Sequence, residues 1–210
     1  MPLHRINFMD WYQQATPAEK SLYDKADSFS DLFDDMLFRE GATTFELIQC
    51  QSQDPESGDW EDDTAPVPDD LAYFNLSRFR YKVEELEEGC EGATDFLNQT
   101  ITVSPEALHD DSVILHELIH AHEYVLNELE LYYHDAVLWA LYEDLKHKIP
   151  NLDELITSHT HLMREYNIFM QGGSHDILFL LKSFDLDLRM GYPLGKVFGY
   201  GRKEEYKAAE

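Results

Sequence analysis

The sequence predicts an α+β fold in which an N-terminal helix and a small mixed β-sheet precede a helical half. Three observations predict it. A capping-box start at Thr16-Pro17-Ala18-Glu19 opens an apolar stripe at three- and four-residue steps. Short stretches bearing Tyr, Phe and Ile then follow one another up to Val103, and from Asp111 onward the apolar period is helical.

In the first element Thr16 is the N-cap, Pro17 takes the first helical position and Glu19 the third. Leu22, Ala26, Phe29, Phe33, Met36 and Leu37 recur on one face and Gly41 offers a stop, which predicts a helix over 17–40. Thr43 to Gln51, with Phe45, Leu47 and Ile48, reads as a strand. Residues 52–70 carry Asp54-Pro55, Ser57-Gly58-Asp59, Glu61-Asp62-Asp63 and Pro66-Val67-Pro68, and read as an acidic loop. Its simplest role is a solvated excursion, with a lid or a pro-segment-like cover as the alternative. Leu71 to Val83 reads as a second strand, Glu84 to Gly92 as an acidic turn, and Phe96 to Val103 as a third strand with Ile101 and Val103 on one face. The helices that follow are expected over 112–127, where Asp110 and Asp111 can cap, over 135–149, stopped by Pro150, and over 152–170, ending at Gly172-Gly173. Ser174 can cap a short last helix through Leu181. There is no internal repeat and no clear interdomain linker, so residues 1–210 read as one domain.

Of 210 residues 43% are hydrophobic and 28% charged, an ordinary globular composition that excludes collagen-like, low-complexity and wholly disordered chains. The 42 acidic residues outnumber the 16 basic ones, for a formal charge of −26. Such a surface repels phosphate backbones, so no nucleic-acid partner is expected. No apolar run approaches the roughly 18 residues of a membrane span, and the N-terminus lacks the pattern of a signal peptide. Two cysteines, Cys50 and Cys90, suggest neither a disulfide framework nor a four-cysteine metal site. A cytoplasmic protein with reduced thiols and no membrane partner is the expectation. Nothing in the sequence sets the oligomeric state.

The strongest chemical signal is His116-Glu117-Leu118-Ile119-His120. Two histidines four apart stand one turn above the other on the same side of a helix, so their imidazoles can converge on one metal ion. Neutral imidazole suits zinc. Glu117 follows the first histidine directly, beside the ion rather than on it, where a carboxylate can act as general base. Leu115, Leu118, Ile119, Val125 and Leu126 make the helix buried and amphipathic.

On these residues the chain resembles the zincin metallopeptidases, whose motif helix follows a small sheet. The resemblance covers residues 111–123 and implies a zinc cofactor, a peptide or protein substrate, and hydrolysis by zinc-activated water with Glu117 as base. It also implies that the strand before the helix, here 98–104, is the edge along which a peptide lies extended. The metzincin continuation of glycine and histidine after His120 is absent.

The third ligand stays open. His122 and Glu123 share the motif helix and cannot readily complete a tetrahedron. His134 is the expected third ligand, because it lies in line with Leu138, Leu141 and Leu145 on the apolar face of the next helix. A histidine heading that helix, followed by aromatic residues and Pro150, resembles SprT-like zincins. Glu143 in that place would resemble a gluzincin, and Glu128 and Glu130 are further alternatives. His175, after Gly172-Gly173-Ser174, can reach over the metal as an oxyanion donor and is the second catalytic candidate beside Glu117, a surface role being the alternative. Tyr124, Tyr132 and Tyr133 are alternative donors. His159 shares a face with Leu152, Leu155 and Ile156 and reads as a core histidine. The expected function is zinc-dependent peptide hydrolysis. A zinc-stabilised binding or regulatory protein without turnover is the alternative, and a DNA-associated protease is disfavoured by the charge.

Overall fold

The computed structural model describes residues 7–34, 47–53, 60–66, 74–126, 131–165 and 175–199. The N-terminal helices are α1 (Phe8–Gln14), α2 (Pro17–Asp27) and α3 (Ser30–Asp34). The capping box at Thr16 forms as expected, with the Thr16 amide donating to Glu19 Oε2 at 2.7 Å and the Glu19 amide donating to Thr16 Oγ1 at 3.3 Å. The single helix expected over 17–40 is instead interrupted at Ser28 and Phe29. Hydroxyls cause the break: Ser28 Oγ donates to the Lys25 carbonyl and Ser30 Oγ to the Asp27 carbonyl, competing with the helical ladder.

Two strands, β1 (Leu47–Gln53) and β2 (Trp60–Pro66), pair antiparallel from Leu47↔Pro66 to Gln53↔Trp60. The stretch expected to be an acidic loop therefore contains a strand. Its backbone groups are satisfied by β1 whatever the charge of the side chains, an override of the low strand propensity of Asp and Glu.

A three-stranded mixed sheet follows, made of β3 (Arg80–Val83), β4 (Gly92–Asp95) and β5 (Thr100–Val103) in the order β3-β5-β4. β3 runs parallel and β4 antiparallel to β5. Of the expected strand 71–83, residues 71–73 lie outside the described residues and only the end of the rest is extended, because Asn75 caps a 3₁₀ turn at Leu76–Arg78 by accepting the Ser77 amide. Residues 96–99, expected as strand, form the turn between β4 and β5. Asp95 Oδ1 accepts the Leu97 and Asn98 amides there, and Gln99 takes the left-handed conformation (φ 48°).

The helical half comprises α4 (Asp111–Leu126), α5 (Leu131–Leu145), α6 (Leu152–Glu165) and α7 (Ile177–Met190). α4 opens at Asp110, whose carboxylate accepts the Ser112 amide, as the sequence suggested. α5 begins four residues earlier than expected, which places His134 within its first turn. α7 is capped by Asp176, whose Oδ1 accepts the Phe179 amide, and runs nine residues past Leu181. It ends in a Schellman pair: Gly191, at φ 69°, donates to the Leu188 carbonyl and Tyr192 to the Asp187 carbonyl.

Almost every residue of α4 is buried, so it is the central rod of the core. The sheet supplies Tyr81, Ile101 and Val103 against it, α2 supplies Leu22 and Ala26, and α7 supplies Leu178, Leu181 and Phe184. Among the described residues no helix is long and apolar enough to cross a membrane.

Candidate metal centre

His116 and His120 occupy successive turns of α4, with ring centroids 5.0 Å apart. The third histidine brought to them is His175, directly ahead of α7, with ring centroids 5.0 Å from His116 and 4.9 Å from His120. One nitrogen from each ring lies within 4.8 Å of the others. Imidazole donors around one zinc at 2.0–2.1 Å stand roughly 3–3.5 Å apart, so small side-chain shifts suffice to close this set on an ion. Phe179, one turn into α7, lays its ring against all three histidines and gives the group an apolar wall.

Hydrogen bonds fix the direction of the donors. His116 Nδ1 lies 2.9 Å from the Val197 carbonyl. A carbonyl only accepts, so Nδ1 carries the proton. Burial holds the His116 pKa below its ordinary value, so the ring is neutral and its Nε2 presents a lone pair. That nitrogen is 3.0 Å from His175 Nε2. His120 is likewise kept neutral, first by burial and then by repulsion from His116, His175 and Lys182. Its Nδ1 is buried and has no hydrogen-bond partner, which fits a ring whose partner is an ion rather than another protein group. The residues present fit a divalent metal held by three imidazoles.

Glu117, next to His116 in the chain, turns to the sheet side of α4 and is 1% exposed. Thr94 Oγ1 on β4 donates to Glu117 Oε2 at 2.7 Å and stands 3.2 Å from the Glu117 carbonyl. Two residues back along the same face of β4, Gly92 leaves the space that the carboxylate fills. Burial pushes the Glu117 pKa up to about 7, against the opposing pull of the Thr94 hydrogen bond.

The geometry brings His175, rather than the expected His134, to the α4 histidines. His134 stands outside the three-histidine group, with Nε2 4.0 Å from Asp176 Oδ2. His175, expected as an oxyanion donor, is the third member of the group: Asp176 starts α7 immediately after it and Phe179 packs on the α4 histidines. Glu143 is exposed beside Lys146. Glu128, Glu130 and the side chains of Tyr132 and Tyr133 lie outside the described residues. His122 faces away, between the rings of Phe33 and Phe74, and Glu123 faces buried Lys182 with Oε1–Nζ at 3.8 Å. Tyr124 stacks on Phe96 at 5.6 Å. His159 is a buried core residue, as expected. Its Nε2 also donates to the His175 carbonyl at 3.0 Å, so it helps to place the third histidine.

Nor is the strand before the motif helix a free edge of the sheet. β5 is hydrogen-bonded on both sides, so 98–104 has no free edge, whereas β4 is an outer strand of the sheet and lies against Glu117. Neither Gly92 nor Thr94 stood out in the sequence, although a glycine inside a strand is a mark of close approach. Val197 carried no signal at all, since its contribution is a backbone carbonyl. No protein-family model, curated protein or solved structure matches the chain.

Proposed function

We propose that this chain is a zinc-dependent hydrolase of the zincin type that cleaves peptide bonds. The observation that carries the reading is the His116–His120–His175 group, its first two members buried, with buried Glu117 following His116 on the same helix and outside the donor set. A purely structural zinc site fills all four positions with protein ligands, and three histidines leave one open. When bound, zinc supplies a Lewis acid and lowers the pKa of coordinated water to about 7.

The chain's own residues supply the remainder. His116, His120 and His175 hold the ion through neutral imidazoles. Glu117 takes a proton and later returns it to the leaving amine. A pKa near 7 suits a group that must do both. The Thr94 hydroxyl fixes one carboxylate oxygen, and Gly92 leaves the carboxylate room against the strand. The outer strand β4 runs past this carboxylate, and its outer edge, which pairs with no strand among the described residues, suits an extended peptide held by main-chain hydrogen bonds, which supports peptide as the substrate class.

The test is cleavage of a peptide library by wild type and Glu117→Gln at matched zinc content. The variant should keep zinc and lose nearly all hydrolysis, because an amide accepts no proton. Equal rates would refute the role of Glu117. A zinc-loaded wild type that cleaves nothing would turn the reading to a zinc-stabilised binding protein.

A further inference from the structure

The three histidines come from only two places, α4 and the start of α7, yet a third segment touches the centre. Residues 195–198 follow α7 and turn back across it. Val197 supplies the carbonyl at His116 Nδ1, and Phe198 packs on His175, His159 and Phe179. A backbone carbonyl has no rotamer of its own, so its position is only as good as that of its loop.

Asp187 holds this loop. It lies in the last turn of α7 and is fully buried. Its Oδ2 accepts the Gly195 amide at 2.6 Å and its Oδ1 the Val197 amide at 2.9 Å. Gly195 has φ 84°, a conformation that turns its amide toward the helix end at little strain for glycine. The carboxylate thus clamps the two ends of a three-residue turn, and the carbonyl of the second clamped residue meets the first histidine of the motif. At the loop's centre, Lys196 Nζ is 3.2 Å from Asp110 Oδ2 at the start of α4, which ties the turn to the helix carrying that histidine.

We propose that Asp187 is a positioning residue for the metal centre: by clamping Gly195 and Val197 it holds the Val197 carbonyl on His116 and keeps that ring in the tautomer whose Nε2 carries the lone pair. The proposal rests on the metal reading above. Carboxylates commonly orient zinc-binding histidines by direct contact. Here the carboxylate acts at one remove, through a main-chain turn.

The experiment compares wild type with Asp187→Asn, which is nearly isosteric but turns an N–H₂ toward one of the two amides. Zinc affinity is measured by competition with a chromophoric chelator. The His116 tautomer is measured in the metal-free protein by long-range ¹⁵N–¹H NMR, and folding by urea titration. Wild type should show His116 wholly as the Nδ1–H form. The variant should fold, bind zinc roughly 10–100-fold more weakly and show a mixture of tautomers. Asp187→Glu, which keeps the charge and can still reach an amide, should recover part of the affinity. Unchanged zinc affinity, or an unchanged tautomer in a folded Asp187→Asn, overturns the proposal. A merely structural role would lower stability and leave the tautomer alone. Should neither variant fold, the wild-type spectrum still decides: His116 in the Nε2–H form refutes the arrangement. Should wild type bind no zinc, the metal reading fails by itself and the tautomer comparison alone judges Asp187.

Discussion

Adding one methyl group at Gly92 should disturb Glu117 and spare the metal. A Cβ at this position stands 2.7 Å from Glu117 Oε1, 2.8 Å from Cγ and 3.0 Å from Cδ. Carbon contacts are comfortable only near 3.5–4.0 Å, so something must move. Glu117 has little room to yield, being 1% exposed with Oε2 held by Thr94 on the same strand. Overpacking of this kind costs about 1–3 kcal/mol. Against it stands a gain of about 0.4–1 kcal/mol from the reduced freedom of the unfolded chain, available because Gly92 is not at positive φ. Gly92→Ala should therefore lose about 1–2 kcal/mol net. In a Glu117→Ala background the clashing atoms are gone, and the same substitution should be neutral or slightly stabilising. The coupling of about 1–3 kcal/mol lies within the range a double-mutant cycle resolves. The assay is urea unfolding of the four metal-free proteins. At matched zinc, a displacement of the carboxylate by about 1 Å should lower hydrolysis about 100-fold, with zinc content unchanged. Equal penalties in both backgrounds would refute the contact.

Other outcomes follow from the same geometry. His116→Ala, His120→Ala and His175→Ala should each weaken zinc binding by more than the roughly 10–100-fold that an indirect partner is worth, whereas His134→Ala should leave it unchanged. Zinc titration checks this, and a large loss in His134→Ala alone would return the third position to α5. Burial pushes the Asp187 pKa up to about 7, against the pull of the Val197, Gly195 and Lys196 amides. Its folded pKa thus exceeds the unfolded value of about 3.9, so its stabilising contribution is complete below about pH 4 and is lost as pH rises through about 7. The difference in metal-free unfolding free energy between wild type and Asp187→Asn should shrink over that window, and a difference that grows with pH would reverse the sign. Duplex DNA should not bind at physiological salt, given the net charge of −26, and submicromolar salt-sensitive affinity in a simple titration would contradict this.

The parts of the centre that were legible in the sequence are those separated by one helical turn. His116, Glu117 and His120 sit where their spacing puts them, because the period of a helix converts sequence distance into direction without reference to the rest of the fold. The cap at Thr16, the start of α4 at Asp110 and the α+β division were legible for the same reason, since each depends on residues within about four positions. The third histidine depends on packing. His134 looked favourable because it lies in line with Leu138, Leu141 and Leu145, and of these Leu141 and Leu145 are buried and Leu138 partly so. Direction toward the interior does not choose a neighbour, however. α4 is covered on one side by the sheet and on another by α7, so the segment leading into α7 delivers the third histidine. The sheet shows the same limit. Thr100–Val103 looked like an edge because it precedes the motif helix, but a strand's place in a sheet is set by its pairing, and Gly92–Asp95 takes the outer position beside Glu117. The two small residues of that strand, one without a side chain and one with a hydroxyl, read in isolation as turn and filler. Only the antiparallel register, with Gly92 opposite Val103 and Thr94 opposite Ile101, puts both on the face that meets the glutamate. The clamp on His116 lies furthest from the reach of a pattern, because what contacts the ring is a main-chain carbonyl. The side chain that governs it, Asp187, is 71 positions along the chain from the histidine that it orients, by subtraction of 116 from 187.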